Sequence, residues 1–200
     1  MEIIVFLAEG FEEIEALTPV DYLRRVGISV KTASCGKSLE VTGSHGISVM
    51  ADTLAENPLE PVLKGQITVG VIIPGGMPGA NNVAECSAAM KILNNTINSK
   101  GLVAAICAAP VVTLAKTGFL QNKRFTCYPG MELQMEKWCG NDWQQLTKDA
   151  KYTGNRVEID GHLVTAAGPG TAEEFAITLV DILVGKEATK KLISGSLLRN

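Results

Sequence analysis

Along this chain, short apolar runs alternate with longer segments of helical period. Leu102–Ile106 is wholly apolar with β-branched residues, which suits a strand buried on both faces. Ile3–Ala8, Ile28–Ser34 and Val69–Ile73 read as further strands. Between the first two lies a helical segment that Gly27 stops, and its start has two readings. Thr18, Pro19 and Asp21 offer an N-cap, a proline at the first helical position and an acid at the third. Alternatively the helix begins at Glu12 and Pro19 kinks it. Either way the opening is β-α-β, the signature of a parallel sheet.

Leu39–Thr42 and Ile47–Met50, around Gly43 to Gly46, predict a small hairpin at the sheet edge. Ser87 is placed to cap a helix with an apolar face of Met90, Leu93 and Ile97, stopped by Gly101. Phe125–Cys127 reads as a strand broken by Pro129, and Met131–Trp138 as a helix ending in the polar stretch Gly140–Thr147. Arg156–Ile159 and Leu163–Ala166 form a hairpin pattern with Asp160-Gly161 as its turn. Gly168-Pro169-Gly170 then leads into the strongest helix signal. Thr171 and Glu174 form a capping-box pattern there, and Ala172, Phe175, Ala176, Leu179, Val180 and Leu183 share one face before Gly185. With no linker or repeat, the pattern predicts one α/β sandwich over residues 1–200, with a mostly parallel sheet and helices on both faces.

Composition narrows the function classes. The 200 residues suit one domain with a proper core, and 46% hydrophobic with 20% charged is ordinary for a globular protein. Net charge is −3 with no Lys/Arg block, so nothing points to nucleic acid or an anionic membrane. The start of the chain lacks the basic region of a signal peptide, and Leu102–Ala115, the nearest to a membrane span, is too short and carries Pro110. Five cysteines without a C-x-x-C pair suggest a reducing compartment, and hence a cytoplasmic protein. His45 and His162 have no ligand-spaced neighbours, so no metal is expected.

The candidate chemistry centres on Cys107. A strand ends at Ile106, Ala108 and Ala109 permit a sharp turn, and Pro110 suits the first turn of a helix that Lys116 and Gly118 close. This is the layout of a nucleophile elbow with Cys in place of Ser. A thiol at a helix N-terminus is drawn toward thiolate by the dipole. The structural alternative is a buried core cysteine. In parallel sheets ligands gather beyond the carboxyl ends of the strands. Three loops leave those ends: Glu9–Glu15, Pro74–Ala80 and Cys107–Pro110. Gly75 and Gly76 either bring backbone N–H groups to a developing oxyanion or merely make a tight turn. Glu12, Glu13 and Glu15 either serve the thiol or stabilise a helix dipole, and periodicity does not choose among them.

Four stretches taken together carry a family resemblance: Ala8-Glu9-Gly10-Phe11-Glu12-Glu13-Ile14-Glu15, Ile73-Pro74-Gly75-Gly76, Ala104-Ala105-Ile106-Cys107-Ala108-Ala109-Pro110 and Gly168-Pro169-Gly170-Thr171. In this order the chain resembles the ThiJ/PfpI superfamily over nearly its whole length, closest to the branch of the Parkinsonism-associated deglycase and YajL-like proteins. The resemblance implies a flavodoxin-like three-layer sandwich, usually a homodimer, without a cofactor. It maps the nucleophile and redox centre to Cys107. A protonated glutamate that hydrogen-bonds the sulfur maps to Glu15, and the backbone pocket to Gly75, Gly76 and Ala108. Activities implied are glutathione-independent glyoxalase action on methylglyoxal or glyoxal, deglycase action on early glycation adducts of proteins and nucleotides, chaperone activity and oxidative-stress sensing.

Two departures shape the expectation. Peptidase-like members carry His after the nucleophile, where Ala108 stands, which argues against an amidase or peptidase. Where the closest branch often has His, Tyr128 stands as an auxiliary candidate; a neutral phenol is a poor base near neutrality. The leading expectation is an enzyme acting on 2-oxoaldehydes or their adducts through Cys107 and Glu15. The alternative is a non-catalytic redox sensor or chaperone that works through oxidation of Cys107.

Overall fold

Alternating residues in each strand send their side chains to opposite faces of one sheet, and that alternation builds two cores. The computed structural model describes residues 2–57 and 69–198; the expectation of one domain over 1–200 extends beyond them. In β1 (Glu2–Leu7), Ile4 and Phe6 face one core while Ile3, Val5 and Leu7 face the other. The same division runs through β6 (Val69–Ile73), where Val71 and Ile73 oppose Ile72, and through β7 (Val103–Ile106), where Val103 and Ala105 oppose Ala104 and Ile106. Such strands are buried on both sides, as a parallel sheet requires.

The sheet has seven strands. From one edge they run β10 (Val157–Asp160), β11 (Leu163–Ala166), β7, β6, β1, β2 (Ser29–Ser34) and β5 (Thr53–Leu54). All neighbours pair in parallel except β10 with β11. Against one face lie α1 (Glu13–Arg25), α6 (Ala172–Val184) and α7 (Lys186–Gly195). Against the other lie α2 (Gly79–Glu85), α3 (Ser87–Asn98), the elbow helix (Pro110–Thr117) and, farther along, α4 (Met135–Cys139). This is the flavodoxin-like sandwich. The remaining short elements are the hairpin β3 (Glu40–Thr42) and β4 (Ser48–Met50), the pair β8 (Arg124–Phe125) and β9 (Lys151–Tyr152), and α5 (Trp143–Leu146). No helix among the described residues is long and apolar enough to cross a membrane.

Some local expectations hold and several are corrected. Of the two starts open for the first helix, the earlier one holds: α1 follows an N-cap at Glu12 with Pro19 inside it, and the Glu12 N–H is bonded to the Gly75 carbonyl at 3.1 Å. Ser87 does not cap α3. Cys86 holds the N-cap position, its N–H shared between the Asn82 and Val83 carbonyls at 3.2 and 3.1 Å, so α2 runs almost directly into α3. Thr171 and Glu174 do not form the capping box. The Thr171 hydroxyl donates to the Gly168 carbonyl at 2.8 Å, and Glu174 accepts from Arg156 at 2.8 Å. The β10–β11 turn is Gly161-His162, one residue later than expected, since Asp160 pairs with Leu163. Met131–Trp138 divides into a 3₁₀ turn (Met131–Gln134) and α4. The strands β5 and β9 and the helices α2 and α7 carry too short or too polar a pattern to have been read.

Helix α6 supplies a direct test of the two-face packing. Phe175 is fully buried against the sheet and α1, whereas Ile182 is 44% exposed on the same helix. Phe175→Ala is expected to cost about 3–5 kcal/mol in urea unfolding and Ile182→Ala about 1 kcal/mol or less. Equal losses at the two positions would contradict this packing.

Candidate functional site

Three loops at the carboxyl ends of β1, β6 and β7 meet, and each is held in place by backbone. After β1 the chain turns at Gly10, whose φ is +80°. Its N–H donates to the Thr42 carbonyl at 2.8 Å and its carbonyl accepts from the Gly79 N–H at 3.2 Å. A Cβ on Gly10 would sit 2.5 Å from Pro78 Cδ, so only glycine allows the loops to lie this close. The turn sets the start of α1, and from there Glu15 projects into the protein with no exposed surface. Its Oε2 accepts a hydrogen bond from the Gly75 N–H at 2.9 Å; Oε1 is buried with no hydrogen-bond partner among the described residues.

Cys107 follows β7 with φ +65°, a left-handed conformation unusual for a side-chain-bearing residue. Two backbone bonds fix it there. Its N–H donates to the Ala166 carbonyl at 2.9 Å, and its carbonyl accepts from the Tyr128 N–H at 2.8 Å. The elbow helix then opens with Pro110 and ends at Gly118, as the sequence pattern predicted. Its first turn is π-type rather than regular, which widens the helix just behind the thiol.

Gly75 joins the two side chains. A Cβ there would lie 2.6 Å from Cys107 Cβ and 2.6 Å from Glu15 Oε2. The thiol-bearing Cys107 and the carboxyl thus converge on a position that must lack a side chain, close enough for each to act on the other's protonation. The N–H groups of Gly76 and Ala108 approach the Cys107 sulfur itself, whereas the Gly75 N–H is taken by Glu15. Tyr128 completes a wall. A Cβ on Gly168 would be 3.3 Å from the Tyr128 ring and 4.0 Å from Cys107 Sγ. The phenol is 51% exposed, so the thiol lies beneath a surface aromatic. Cys107, Glu15, Gly75, Gly76, Ala108 and Tyr128 are therefore all gathered in one place.

The electrostatics belong to the pair. Burial pushes the Glu15 carboxyl up to about 7, opposed by the Gly75 N–H and the Cys107 contact and assisted by the Glu12 charge. Burial, followed by the charge and hydrogen bond of Glu15, pushes the Cys107 thiol up to about 12 against the N–H groups of Gly76 and Ala108. The helix terminus alone thus does not make Cys107 a thiolate. Two of the three causes of the rise vanish when the proton sits on Glu15, so the pair titrates as a unit.

Sequence spacing missed a neighbouring cluster. His45 has no ligand-spaced partner along the chain, yet in space its Nδ1 lies 3.0 Å from Glu13 Oε2 and 3.5 Å from Glu12 Oε2. Although burial pushes the Glu13 carboxyl up, hydrogen bonds from the His45 ring and from the His45 and Ile47 N–H groups bring it down to about 2. The carboxylate serves the loop after β3, and the hairpin between the two partners is the only signal the sequence offered. A groove of about 420 Å³ lined by Arg25, Val26, Lys191, Leu192 and Ser196 lies at the far end of α1, with no carboxylate or cysteine among its described lining residues.

A half-buried thiol on a left-handed strand-to-helix turn, beside a buried carboxyl in a mostly parallel sandwich, defines an elbow-cysteine protein of the flavodoxin-like class. The chain belongs to the DJ-1/PfpI family, whose model matches residues 1–182. It is similar to "Protein DJ-1 homolog B" of Arabidopsis thaliana, at 36% identity over 98% of this chain, and to "Glutathione-independent glyoxalase DJR-1.2" of Caenorhabditis elegans, at 33% over 96% of this chain and 92% of that one. It spans less than half the length of the two Arabidopsis relatives it matches, 41% and 46%. Among solved structures it is similar to oxidized Toxoplasma gondii DJ-1, with a TM-score of 0.84 and 33% identity, covering 100% of this chain and 99% of that one.

The raised carboxyl pKa has a stability consequence. A folded pKa of about 7 against an ordinary 4.5 means that Glu15 favours the folded state most below pH 4.5 and loses that contribution as pH rises through 7. We expect unfolding free energy to fall by up to about 3 kcal/mol across this window. Glu15→Gln, which keeps an acceptor for the Gly75 N–H, should flatten the slope. Chemical denaturation at pH 5 and pH 8 measures it, and an unchanged slope in the variant would remove Glu15 as its source.

Proposed function

We propose that the protein is a cofactor-free, glutathione-independent glyoxalase of the DJ-1 type, acting on methylglyoxal, glyoxal or their early glycation adducts. The observation that carries this reading is the buried Glu15 carboxyl, one oxygen without a hydrogen-bond partner among the described residues, converging with the elbow cysteine on Gly75. The C. elegans relative named as a glutathione-independent glyoxalase supports the choice of substrate class.

The chemistry needs one proton to move between two groups. With that proton on Glu15, the Cys107 thiolate adds to the aldehyde carbon of methylglyoxal, and Glu15 gives its proton to the new oxygen, forming a hemithioacetal. The Glu15 carboxylate, now a base in a dry site, takes the proton from that carbon and returns it to the neighbouring carbon through an enediol. The Gly76 and Ala108 N–H groups beside the sulfur hold the oxygen on which charge develops. The product is a lactoyl thioester of Cys107, which water hydrolyses to lactate and free thiol. Tyr128 shields the sulfur and takes no proton in this sequence.

Oxidation of Cys107 is the second reading, favoured by the same N–H donors, which suit a sulfinate as well as a thiolate. An assembly of two copies belongs to the proposal as well. Ile14 and Ile47 are 51% and 55% exposed, and Ile47 lies against Glu13, the neighbour of Ile14. Sedimentation of the wild type is expected to show a dimer, and Ile14→Glu to weaken it.

Lactate formation from methylglyoxal without added thiol tests the catalytic reading. Turnover should vanish in Cys107→Ala, fall by about 10²–10⁴-fold in Glu15→Gln, and change little in Tyr128→Phe. Wild-type turnover no greater than that of Cys107→Ala would leave oxidation as the function of the thiol.

A further inference from the structure

We propose that Gly168 and Tyr128 form a slot beside the Cys107 sulfur that receives the substituent of the substrate and selects flat, uncharged, apolar groups over charged ones. The proposal rests on the glyoxalase reading only for the identity of the reacting aldehyde. Gly168 differs from the other glycines of the site. At Gly75 and Gly76 an added Cβ would overlap Cys107 Cβ and the Glu12 main chain respectively, so packing alone demands a bare residue there. At Gly168 nothing comparable applies. Its φ of 162° and ψ of −169° are extended backbone that any residue adopts. The three atoms nearest an added Cβ would be Tyr128 Cδ2 at 3.3 Å, Tyr128 Cε2 at 3.8 Å and Cys107 Sγ at 4.0 Å. The missing side chain therefore leaves a place that touches both the aromatic ring and the nucleophile.

Main chain fixes the slot on both sides. The Gly168 N–H donates to Thr171 Oγ1 at 3.2 Å, and the Gly168 carbonyl accepts from the Thr171 hydroxyl and the Thr171 N–H, both at 2.8 Å. Thr171 is itself buried. The Tyr128 N–H is tied to the Cys107 carbonyl at 2.8 Å, and the Tyr128 carbonyl accepts from the Met131 N–H at 3.0 Å. Only the phenol ring, 51% exposed, is free to adjust. A gap formed in advance by backbone binds a substituent with little ordering cost.

Chemistry sets which substituent fits. An aromatic wall favours flat apolar groups, stacked on the ring or meeting it edge to face. When poised for attack, the Glu15 and Cys107 pair carries one negative charge, which repels an anion. A carboxylate or phosphate on the substrate would meet that charge and exchange water for aromatic carbon. A phenyl group instead gains by leaving water. Among 2-oxoaldehydes, the slot thus favours an aryl member such as phenylglyoxal over methylglyoxal.

Three alkylating agents that share one electrophilic carbon and differ in their tails separate the slot from catalysis. The full chain and its variants are treated with iodoacetate, iodoacetamide and iodoacetanilide, and labelling of Cys107 is followed by peptide mass spectrometry. Rates are taken relative to an unstructured cysteine peptide. On that scale the wild type should favour iodoacetanilide over iodoacetamide, and iodoacetamide over iodoacetate. Gly168→Ala should slow iodoacetanilide about 10-fold or more and iodoacetamide less. Tyr128→Ala, which leaves the buried loop untouched, should lower the iodoacetanilide preference about 2–10-fold, and Tyr128→Phe should keep it. The kcat/KM for phenylglyoxal relative to methylglyoxal should fall in the same two alanine variants, mainly through KM. A wild-type preference no greater than that of the peptide, or reagent ratios unmoved in both alanine variants, would overturn the slot. Methylglyoxal turnover reports separately on the glyoxalase reading: the labelling order without turnover keeps the slot and removes the glyoxalase, and turnover without the labelling order does the reverse.

Discussion

The site depends on a close approach that only one residue type permits: Gly75 lies where the Cys107 and Glu15 side chains converge, and any Cβ there would overlap both. The contact between acid and thiol is therefore a consequence of backbone packing. It also requires Cys107 to hold a left-handed conformation, which costs of order 1–3 kcal/mol for a residue with a side chain. Two ladder-like hydrogen bonds, to Ala166 and from Tyr128, hold that conformation, and they come from segments that β11 and the chain after β8 supply. The sheet thus positions the nucleophile through its main chain and leaves the sulfur free of that duty.

Burial then sets the chemistry. Neither ionised form is welcome in a site closed on one side by the sheet and on the other by Tyr128 and Gly168, so charge is confined to one of the two groups at a time. A proton that moves between Glu15 and Cys107 changes the character of both in one step. The acidic turn of α1 serves two ends at once. Glu13 turns to the hairpin loop and is held ionised by hydrogen bonds from His45 and Ile47, while Glu15, two residues on, is held against water by the fold. Adjacent carboxyls of one helical turn therefore carry opposite tendencies because their surroundings differ.

The cysteines show the same principle. Cys107 and Cys127 are raised by burial and by a nearby carboxylate, whereas Cys86 is lowered, first by the Cys35 thiol and then by backbone N–H groups at a helix start. Residue type decided nothing among them. The number and kind of groups that face each sulfur decided its acidity.

Much of the architecture was legible in the chain because it is encoded locally. Runs such as Ile3–Leu7 and Val103–Ile106 have an apolar density that only a doubly covered strand accommodates, and the apolar face of α6 follows from its helical period. The elbow was legible too, as a strand, two small residues and a proline. The four motifs in order pointed to the DJ-1/PfpI family. What the chain could not reveal were contacts between distant residues: Glu15 with Gly75, sixty positions away, and His45 with Glu12 and Glu13. Two caps were misjudged locally: the Thr171 hydroxyl turns back to the Gly168 carbonyl, and Cys86 rather than Ser87 holds the N-cap of α3. Local pattern determines which way a side chain faces, because period follows from backbone geometry alone. Which two faces meet, and which groups are thereby stripped of water beside one another, was decided only when the parallel strands brought their carboxyl ends to one edge.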